Sequence, residues 1–475
     1  MKKLFNDNWL FQKQPLGTDI SVFQKNTGWL PVDIPHDWMI YDAKNLYEEA
    51  ISCYKKIFTL TNEEKNTNIF LRFEGVYMDT TIYLNGEEFF IWKYGYSTFD
   101  IDLTGHLKDG ENEILVKTVY QLPNSRWYPG SGIYRNVWLI TKPDTYFALD
   151  GSYLSTEKLG ETWKVFADIE ITSSSEKAAV VRHIISDQEG RTIAKHENEV
   201  HTTNGTITDT QSFAVITPHV WDIDDPYLYS ITSELIIAGT TVDTYTQNLG
   251  FRTFSFDAKE GFFLNERHVI IKGACQHHDL GSLGAAMNKE ALRRQFTILK
   301  EMGVNSIRTA HNMPAVEVME LADEMGILIY SESFDMWERP KTDYDYGNYF
   351  NEWWERDLTS WVRRDRNHPS LIIWGIGNEV YDTVFDRGLE ITKMLHHAVR
   401  KLDPRKNGYT AIGSNHITDE NAQRCSDVVD LSGYNYSENL YDEHHEKYPD
   451  WCIFGSETSS TVQSLSLIHI FCAKL

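Results

Sequence analysis

The fold class follows from residues 364–379, which read Arg364-Asp365-Arg366-Asn367-His368-Pro369-Ser370-Leu371-Ile372-Ile373-Trp374-Gly375-Ile376-Gly377-Asn378-Glu379. The apolar run 371–377 predicts a buried strand, and a helical pattern over about 351–365 comes before it. Two polar residues, Asn378 and Glu379, follow the strand directly. A buried strand preceded by a helix and followed by polar residues is typical of a parallel sheet with a functional edge.

The same alternation continues upstream of this stretch. Apolar residues at helical spacing predict a helix over 288–302, with Asn288 as its N-cap and Gly303 just past its end. A strand over 304–308 follows, then a helix from Pro314 at its first position to Met325, and a strand over 327–330. Alternating strands and helices predict a parallel sheet, and polar residues at the strand ends favour a TIM barrel.

The first 255 residues have a different pattern. Short runs rich in aromatic and β-branched residues, at 68–73, 81–84 and 113–119, are separated by turn signals such as Asn85-Gly86. A second β block runs from about 146 to 252, and its length of roughly 100 residues suits an immunoglobulin-like sandwich. This strand spacing fits sandwiches and barrels equally well, so the β class is clearer than its topology.

Composition excludes some classes of partner. The net charge of −24 argues against nucleic acid and anionic membranes, which attract clustered Lys and Arg. The 14 Trp and 25 Tyr suit sugar binding, because a pyranose stacks on aromatic rings, but all-β cores use them too. The 5 cysteines are scattered without a CxxC pair, so neither a disulfide framework nor a zinc site is indicated. The N-terminus shows no apolar leader and no stretch could span a bilayer, so we expect a cytoplasmic protein.

Two acidic residues end predicted strands, Glu379 and Glu457, and Arg308 and His311 follow a third strand. In a closed barrel they would converge on one pocket. Glycoside hydrolysis needs such a pair, one carboxyl protonated to serve the leaving oxygen and one ionised to attack the sugar. The alternative from spacing alone is that both are structural acids at the barrel rim.

The stretch 364–379 resembles the acid/base motif of glycoside hydrolase family 2, which includes β-galactosidases, β-glucuronidases and β-mannosidases. Further segments that resemble family motifs are 305–312 (Asn-Ser-Ile-Arg-Thr-Ala-His-Asn), 456–460 (Ser-Glu-Thr-Ser-Ser), 35–38 (Pro-His-Asp-Trp) and 131–138 (Ser-Gly-Ile-Tyr-Arg-Asn-Val-Trp). The resemblance implies a jelly-roll sugar-binding domain over 1–144, an immunoglobulin-like β-sandwich over 145–255 and a (β/α)8 TIM-barrel catalytic domain over 256–464.

The resemblance also implies roles for single residues. Glu379 matches the general acid/base and Glu457 the nucleophile of a retaining mechanism. Asn378 matches the residue that binds the sugar 2-hydroxyl, Arg308 would orient Glu457, and Tyr434 would hydrogen-bond Glu457, with Tyr436 as a near competitor. Further residues would line the sugar subsite: His311, His277, His278, Glu332 and Trp374. The alternative is a purely structural role for each: the histidines and Arg308 would be packing residues, and Trp374 would belong to the barrel core.

The chain departs from the family pattern at two places. Some members bind magnesium through a Glu-x-His element, but Glu332-Ser333-Phe334 has no histidine, so we expect no metal and no cofactor. The tail, residues 465–475, resembles nothing in the family, which predicts a truncated or frame-disrupted sequence and an incomplete barrel. Such a barrel leaves strand edges unpaired, and this puts the activity of the chain in question.

The predicted function is hydrolysis of terminal β-D-galactosides with retention, acting on a small carbohydrate. A β-glucuronidase or β-mannosidase is the rival within the family. The Asn-x-Lys element by which glucuronidases hold the uronic carboxylate would lie beyond Ser464, so the feature that best distinguishes a glucuronidase cannot be examined in this sequence. A non-catalytic carbohydrate-binding protein is the rival from another class. The oligomeric state is left open, a homo-oligomer included.

Overall fold

The computed structural model describes residues 1–25, 27–42 and 44–458, together with the backbone of 467–469. These residues form two compact units. The first comprises Met1–Lys142, His277–Arg294 and Met336–Ser360, and the second comprises Pro143–Gln276, Gln295–Asp335 and the described residues from Trp361 onward. The domain boundaries predicted at 144, 255 and 464 stay predictions.

Two antiparallel sheets make up most of the first unit, as predicted for a jelly roll. Their strands run in the orders β1-β10-β5-β8 and β3-β2-β4-β9-β6-β7. Their bounds, with one short helix, are β1 Lys2–Leu4, β2 Trp9–Gln14, α1 Ile20–Lys25, β3 Leu30–Val32, β4 Ala50–Phe58, β5 Asn68–Phe73, β6 Thr80–Leu84, β7 Glu87–Trp92, β8 Phe99–Asp102, β9 Asn112–Tyr120 and β10 Val137–Lys142. The predicted turn at Asn85-Gly86 joins β6 to β7, and both residues have the positive φ, 54° and 91°, that a type I′ hairpin requires.

A two-sheet sandwich opens the second unit, as predicted for the immunoglobulin-like block. The sheets have the orders β11-β12-β15 and β14-β13-β16-β17. Strict alternation of buried and half-buried residues along β12 directs Trp163, Val165 and Ala167 into the core. The strands are β11 Thr145–Leu159, β12 Thr162–Ser173, β13 Ala178–Ser186, β14 Thr192–His201, β15 Gly205–Ile216, β16 Tyr229–Ile237 and β17 Thr240–Leu249, and a small sheet follows with β18 Phe254–Asp257, β19 Gly261–Leu264 and β20 Arg267–His268.

The second unit also contains a barrel of seven parallel strands, which confirms the predicted TIM-barrel class. Its strands are β21 Lys272–Gln276, β22 Ser306–Thr309, β23 Leu328–Glu332, β24 Leu371–Asn378, β25 Tyr409–Ser414, β26 Leu431–Asn435, β27 Ile453–Glu457 and β28 Leu467–His469. The last strand, β28, pairs antiparallel with both β21 and β27 and closes the barrel. The incomplete parallel barrel was predicted, but this closure by three residues of the predicted non-family tail was not.

The connections between barrel strands contain the helices α2 Lys289–Glu301, α3 Val316–Met325, α4 Phe350–Asp365, α5 Asp386–Leu402, α6 Glu420–Ser426 and α7 Tyr441–Lys447, and 3₁₀ turns at Gly281–Leu283, Tyr346–Asn348, Tyr381–Val384 and Glu438–Leu440. Two further 3₁₀ turns, Trp38–Tyr41 and Glu64–Asn66, lie between strands of the first unit. The side chain of Asn288 accepts from the Ala291 amide and caps α2, as predicted. Helix α3 begins at Val316 instead of Pro314, because Ala315 still has extended backbone.

Apolar side chains, including Tyr330, Ile373, Leu431 and Phe454, form a buried cluster with the small sheet. Polar side chains at the carboxyl ends of the same strands, described below, are therefore supported by a packed core. No helix within the described residues is long and apolar enough to cross a membrane.

Candidate active site

Five barrel strands bring polar side chains to one edge. Arg308 lies in β22, Glu332 ends β23, Asn378 ends β24, Asn435 ends β26 and Glu457 ends β27. All five residues are buried. Because these strands are parallel, their carboxyl ends meet, which is why residues up to 149 positions apart in sequence share one hydrogen-bond network.

Arg308 is the centre of this network. Its guanidinium is fully buried and contacts Glu332 Oε1 with Nε at 2.8 Å and with Nη2 at 2.6 Å. Nη1 donates to Glu457 Oε1 at 2.6 Å, and Nη2 donates to Asn378 Oδ1 at 2.8 Å. Burial alone would lower the pKa of Arg308, but Glu332 and Glu457 raise it well above its usual value. The side chain therefore stays charged and holds two carboxylates and one amide in fixed positions.

Glu457 is held in its ionised form. Besides Arg308, it accepts a hydrogen bond from the Tyr436 hydroxyl to Oε2 at 2.5 Å, and His311 Nε2 lies 3.3 Å from Oε1. Burial by itself raises the pKa of Glu457, but Arg308, His311 and the Tyr436 hydrogen bond outweigh it and lower the pKa to about 2. His311 is fixed by Glu332, whose Oε2 lies 2.8 Å from Nδ1. A buried carboxylate that stays ionised is suited to act as a nucleophile.

Glu379 has a different environment. Its φ of 45° lies in the left-handed region, and its amide donates to the Gly413 carbonyl at 2.7 Å. The side chain is half-buried, and Oε1 accepts from Asn435 Nδ2 at 3.2 Å. Side chains alternate in direction along a strand, so the left-handed turn allows two consecutive residues, Asn378 and Glu379, to join one site. Such strain in a non-glycine residue is typical of functional positions.

Two amides link the carboxylates. Asn435 Nδ2 donates to Asn378 Oδ1 at 3.0 Å as well as to Glu379, and Asn435 Oδ1 accepts from Ser456 Oγ at 2.6 Å. Asn378 Nδ2 donates to Asp335 Oδ1 at 2.9 Å. A continuous chain of hydrogen bonds thus runs from Glu379 through the amides to Arg308 and Glu457.

The prediction that Tyr434 hydrogen-bonds Glu457 is wrong, and its near competitor Tyr436 makes that contact. The Tyr434 hydroxyl instead lies 2.8 Å from His444 Nδ1, and the ring packs with Trp451 and Ile453. Tyr434 and Asn435 are consecutive in β26, so their side chains leave on opposite faces. Tyr436 has a φ of 54°, the same left-handed exit that Glu379 makes from β24.

Trp374, predicted to line the sugar subsite, is a core residue. Its indole is fully buried, donates to Asp403 Oδ2 at 2.9 Å and meets the Trp361 ring edge to face at 4.7 Å. Trp361 belongs to α4, and Asp403 directly follows α5. The side chain therefore packs toward the helices, which is the alternative that the sequence left open.

His277 and His278 belong to the first compact unit. The exposed His277 ring stacks on Trp127 with centroids 5.2 Å apart. His278 Nε2 lies 2.9 Å from the Pro129 carbonyl oxygen, and burial lowers the pKa of its imidazole to about 3. The structure thus gives both histidines packing partners in that unit, and their role toward a sugar stays a prediction.

The sequence reasoning missed Asn435, Asp335 and Ser456. Asn435 lies between Tyr434 and Tyr436. Because side chains alternate along a strand, only one of Tyr434 and Asn435 can point into the site, and this signal could have identified Asn435. Asp335 directly follows the Glu332-Ser333-Phe334 segment, which lacks the histidine of a metal-binding Glu-x-His element. Within the described ranges, no group of three or more His, Cys, Asp or Glu side chains is arranged to hold a metal ion.

Three family models match the chain in succession. They are the "Glycosyl hydrolases family 2, sugar binding domain" over residues 21–143, "Glycosyl hydrolases family 2" over 149–252 and "Glycosyl hydrolases family 2, TIM barrel domain" over 257–451.

Individual proteins agree with these models. The chain is 35% identical to β-galactosidase BoGH2A of Bacteroides ovatus over 97% of its own length and 59% of that protein. It is 28% identical to a β-glucuronidase of Bacteroides fragilis, over 96% of this chain and 68% of that one. The crystal structure of a glycosyl hydrolase family 2 member from Bacteroides cellulosilyticus superposes with a TM-score of 0.89 at 30% identity, over 96% of this chain and 61% of that chain. The chain thus spans about three fifths of BoGH2A and of that crystallised protein, and by its three successive domains it belongs to glycosyl hydrolase family 2.

Proposed function

We propose that this protein hydrolyses terminal β-D-galactosides with retention, and that Glu457 is the nucleophile and Glu379 the acid/base. The observation that carries the proposal is the contrast between the two carboxyl groups. Glu457 is buried and fixed as an anion by Arg308, whereas Glu379 is half-buried and accepts a hydrogen bond from the neutral amide of Asn435 at 3.2 Å. Two carboxyls with opposite protonation needs are the requirement of a double-displacement glycosidase.

In the first step Glu457 attacks the anomeric carbon while Glu379 gives its proton to the glycosidic oxygen, and the aglycone leaves as a neutral alcohol. A glycosyl–Glu457 ester remains. In the second step Glu379, now ionised, takes a proton from water, and the resulting oxygen attacks the anomeric carbon and releases Glu457. Two inversions at one carbon give net retention.

The other network residues position these two groups. Arg308, His311 and Tyr436 hold Glu457, and Glu332 orients both Arg308 and His311. Asn378, fixed by Arg308 and Asp335, is proposed to meet the sugar 2-hydroxyl, a contact that strengthens in the transition state. Asn435 is proposed to orient Glu379 through its 3.2 Å hydrogen bond.

The galactoside is proposed because BoGH2A, the relative at 35% identity, is named a β-galactosidase. A β-glucuronide is the second candidate, because the relative from Bacteroides fragilis is named a β-glucuronidase and matches 96% of this chain. The two substrates differ by a carboxylate at C6, so a panel of aryl glycosides separates them.

The experiment compares the chain with Glu457→Gln on aryl β-galactoside, β-glucuronide and β-mannoside. The proposal predicts cleavage of the galactoside, first release of the β-anomer by proton NMR, and a loss of at least about 10³-fold in kcat for Glu457→Gln. Glu446→Gln, an exposed carboxylate on α7, is the matched control and should retain full activity. First release of the α-anomer would exclude the retaining mechanism, and preferred cleavage of the glucuronide would replace the substrate.

A further inference from the structure

A second cavity of the barrel-containing unit lies away from the strand ends that carry the carboxylates. It has a volume of about 890 Å³ and is lined by sandwich residues 154–158, by residues 249–250 and 252–255, and by the segments 367–369 and 405–407. The last two segments precede β24 and β25, so this cavity lies at the amino-terminal ends of the barrel strands. Its size suits a ligand as large as a monosaccharide derivative.

Arg252 lines this cavity with an incompletely satisfied guanidinium. The side chain is 8% exposed, and Nη2 donates to the carbonyl oxygens of Leu371 at 2.5 Å and Asn407 at 3.1 Å. Among the described residues Nη1 has no hydrogen-bond partner, and no ion pair with Arg252 is formed there. Burial lowers the pKa of Arg252 to about 9, although Asp323 and Asp403 act against it. A buried cation ordinarily has an anionic partner, so this one is short of negative charge.

Ser155 supplies a second unsatisfied group in the same lining. Its side chain is 8% exposed, and its Oγ has no hydrogen-bond partner within the described part of the chain. Asn407 connects it to Arg252, because Asn407 Nδ2 donates to the neighbouring Leu154 carbonyl at 2.6 Å while the Asn407 carbonyl accepts from Arg252. Asn407 thus hydrogen-bonds both the Arg252 guanidinium and Leu154, the residue before Ser155, and Arg252 and Ser155 line one cavity.

The remaining charges of the lining are mostly cations. Lys158 pairs with Glu266 at 2.8 Å, Lys406 with Asp430 at 3.4 Å, and Arg405 with Asp168 at 2.8 Å. His368 also lines the cavity and lies 2.6 Å from Asp323, whereas the carboxylates in the lining are Glu157 and Glu266. Each of these flanking cations therefore has a carboxylate partner, and Arg252 is the lining arginine for which the described residues provide none.

We propose that this cavity binds a small anion, a phosphate- or carboxylate-bearing compound, through the Arg252 guanidinium and the Ser155 hydroxyl. The anion supplies the partner that Arg252 lacks, and Nη1 and Oγ donate to its oxygens. The flanking Lys158, Arg405 and Lys406 stay paired with their carboxylates. This site is distinct from the proposed glycosidase site and does not depend on it.

The test is isothermal titration of the whole chain, in chloride buffer, with inorganic phosphate, citrate and the neutral sugar sucrose. Binding of phosphate identifies a phosphate site and binding of citrate alone a carboxylate site, and sucrose should not bind. Arg252→Met should weaken anion binding at least about tenfold, because a hydrogen bond to a charged group is lost. Lys158→Glu puts a negative charge at the exposed rim of the cavity and should weaken binding several-fold, whereas Lys195→Glu makes the same charge change on β14 outside the lining and should leave binding unchanged.

Three results would overturn the proposal. The first is that neither phosphate nor citrate binds more tightly than chloride. The second is that a folded Arg252→Met chain binds the anion as well as the unaltered chain. If Arg252→Met does not fold, the rim pair decides, and equal binding by Lys158→Glu and Lys195→Glu would reject the site.

Discussion

Arg308 and Arg252 are two buried arginines of one unit with opposite surroundings. Arg308 contacts the carboxylates of Glu332 and Glu457, and its pKa is raised well above its usual value. Among the described residues Arg252 donates to two carbonyl oxygens and stacks over the Phe254 ring at 4.3 Å, and burial lowers its pKa to about 9. The charged partners of a buried guanidinium, more than its burial, therefore determine its role. Arg308 completes a network of charges, whereas Arg252 forms no ion pair with a carboxylate of the described residues and could accept an anionic ligand.

Removing each arginine charge in turn should have very different effects on stability. Arg308→Met leaves Glu332 and Glu457 buried without their cation, so we expect a loss of about 3–5 kcal/mol in the free energy of unfolding. Arg252→Met removes two hydrogen bonds to carbonyl groups together with an unpaired buried charge, so we expect a loss of only about 1–2 kcal/mol.

Urea denaturation of the two variants beside the unaltered chain measures both values. A cost for Arg252→Met that equals the cost for Arg308→Met would show that the two sites do not differ in this way.

The Arg308 network also predicts a dependence of stability on pH. The pKa of Glu457 falls from 4.5 in the unfolded chain to about 2 in the folded one, so its contribution is complete above pH 4.5 and is lost as the pH falls toward 2. The shift corresponds to roughly 3 kcal/mol.

Unfolding of the chain and of Glu457→Gln across this range tests the sign. The difference in stability between them should be largest near neutral pH and should shrink between pH 4.5 and pH 2. A difference that stays constant over the range would mean that Glu457 is not ionised by its partners.

Tyr436 and Tyr434 lie at the end of the same strand but should affect catalysis differently. Tyr436→Phe removes a hydrogen bond to the Glu457 carboxylate, so we expect kcat to fall about 10- to 100-fold, the value of a hydrogen bond to a charged group. Tyr434→Phe removes a contact with His444 and should leave kcat nearly unchanged while lowering stability slightly. Aryl-glycoside kinetics on both variants measures the contrast, and a larger loss in kcat for Tyr434→Phe would restore the sequence-based assignment.

Much of this site was predictable because parallel strands bring their carboxyl ends together. The pattern of apolar strands and helices placed Arg308, Asn378, Glu379 and Glu457 at one end of the barrel, and the family resemblance suggested their roles and added Glu332. The sequence did not predict the direction of side chains next to irregularities of the backbone. The left-handed φ of Tyr436 reverses the expected alternation.

Two other features depended on structure that leaves no local signal. Trp374 is apolar and lies in the strand that leads to Glu379, but its side chain points toward the helices. A register shift between Gly375 and Gly377 interrupts the regular alternation of side chains, so the direction of Trp374 cannot be derived by counting back from Glu379. The unsatisfied state of Arg252 depends on residues more than 100 positions away, at Leu371 and Asn407, so no sequence motif indicates it.

The proposed mechanism requires a covalent glycosyl intermediate on Glu457. A 2-deoxy-2-fluoro β-galactoside with a good leaving group slows both steps, and intact-mass and peptide mass spectrometry then locate the trapped sugar. We expect one added sugar per chain, on the peptide that contains Glu457, and no addition in Glu457→Gln. Attachment to Glu379 or to another residue, or turnover of the corresponding galactoside with no trapped sugar at all, would contradict it.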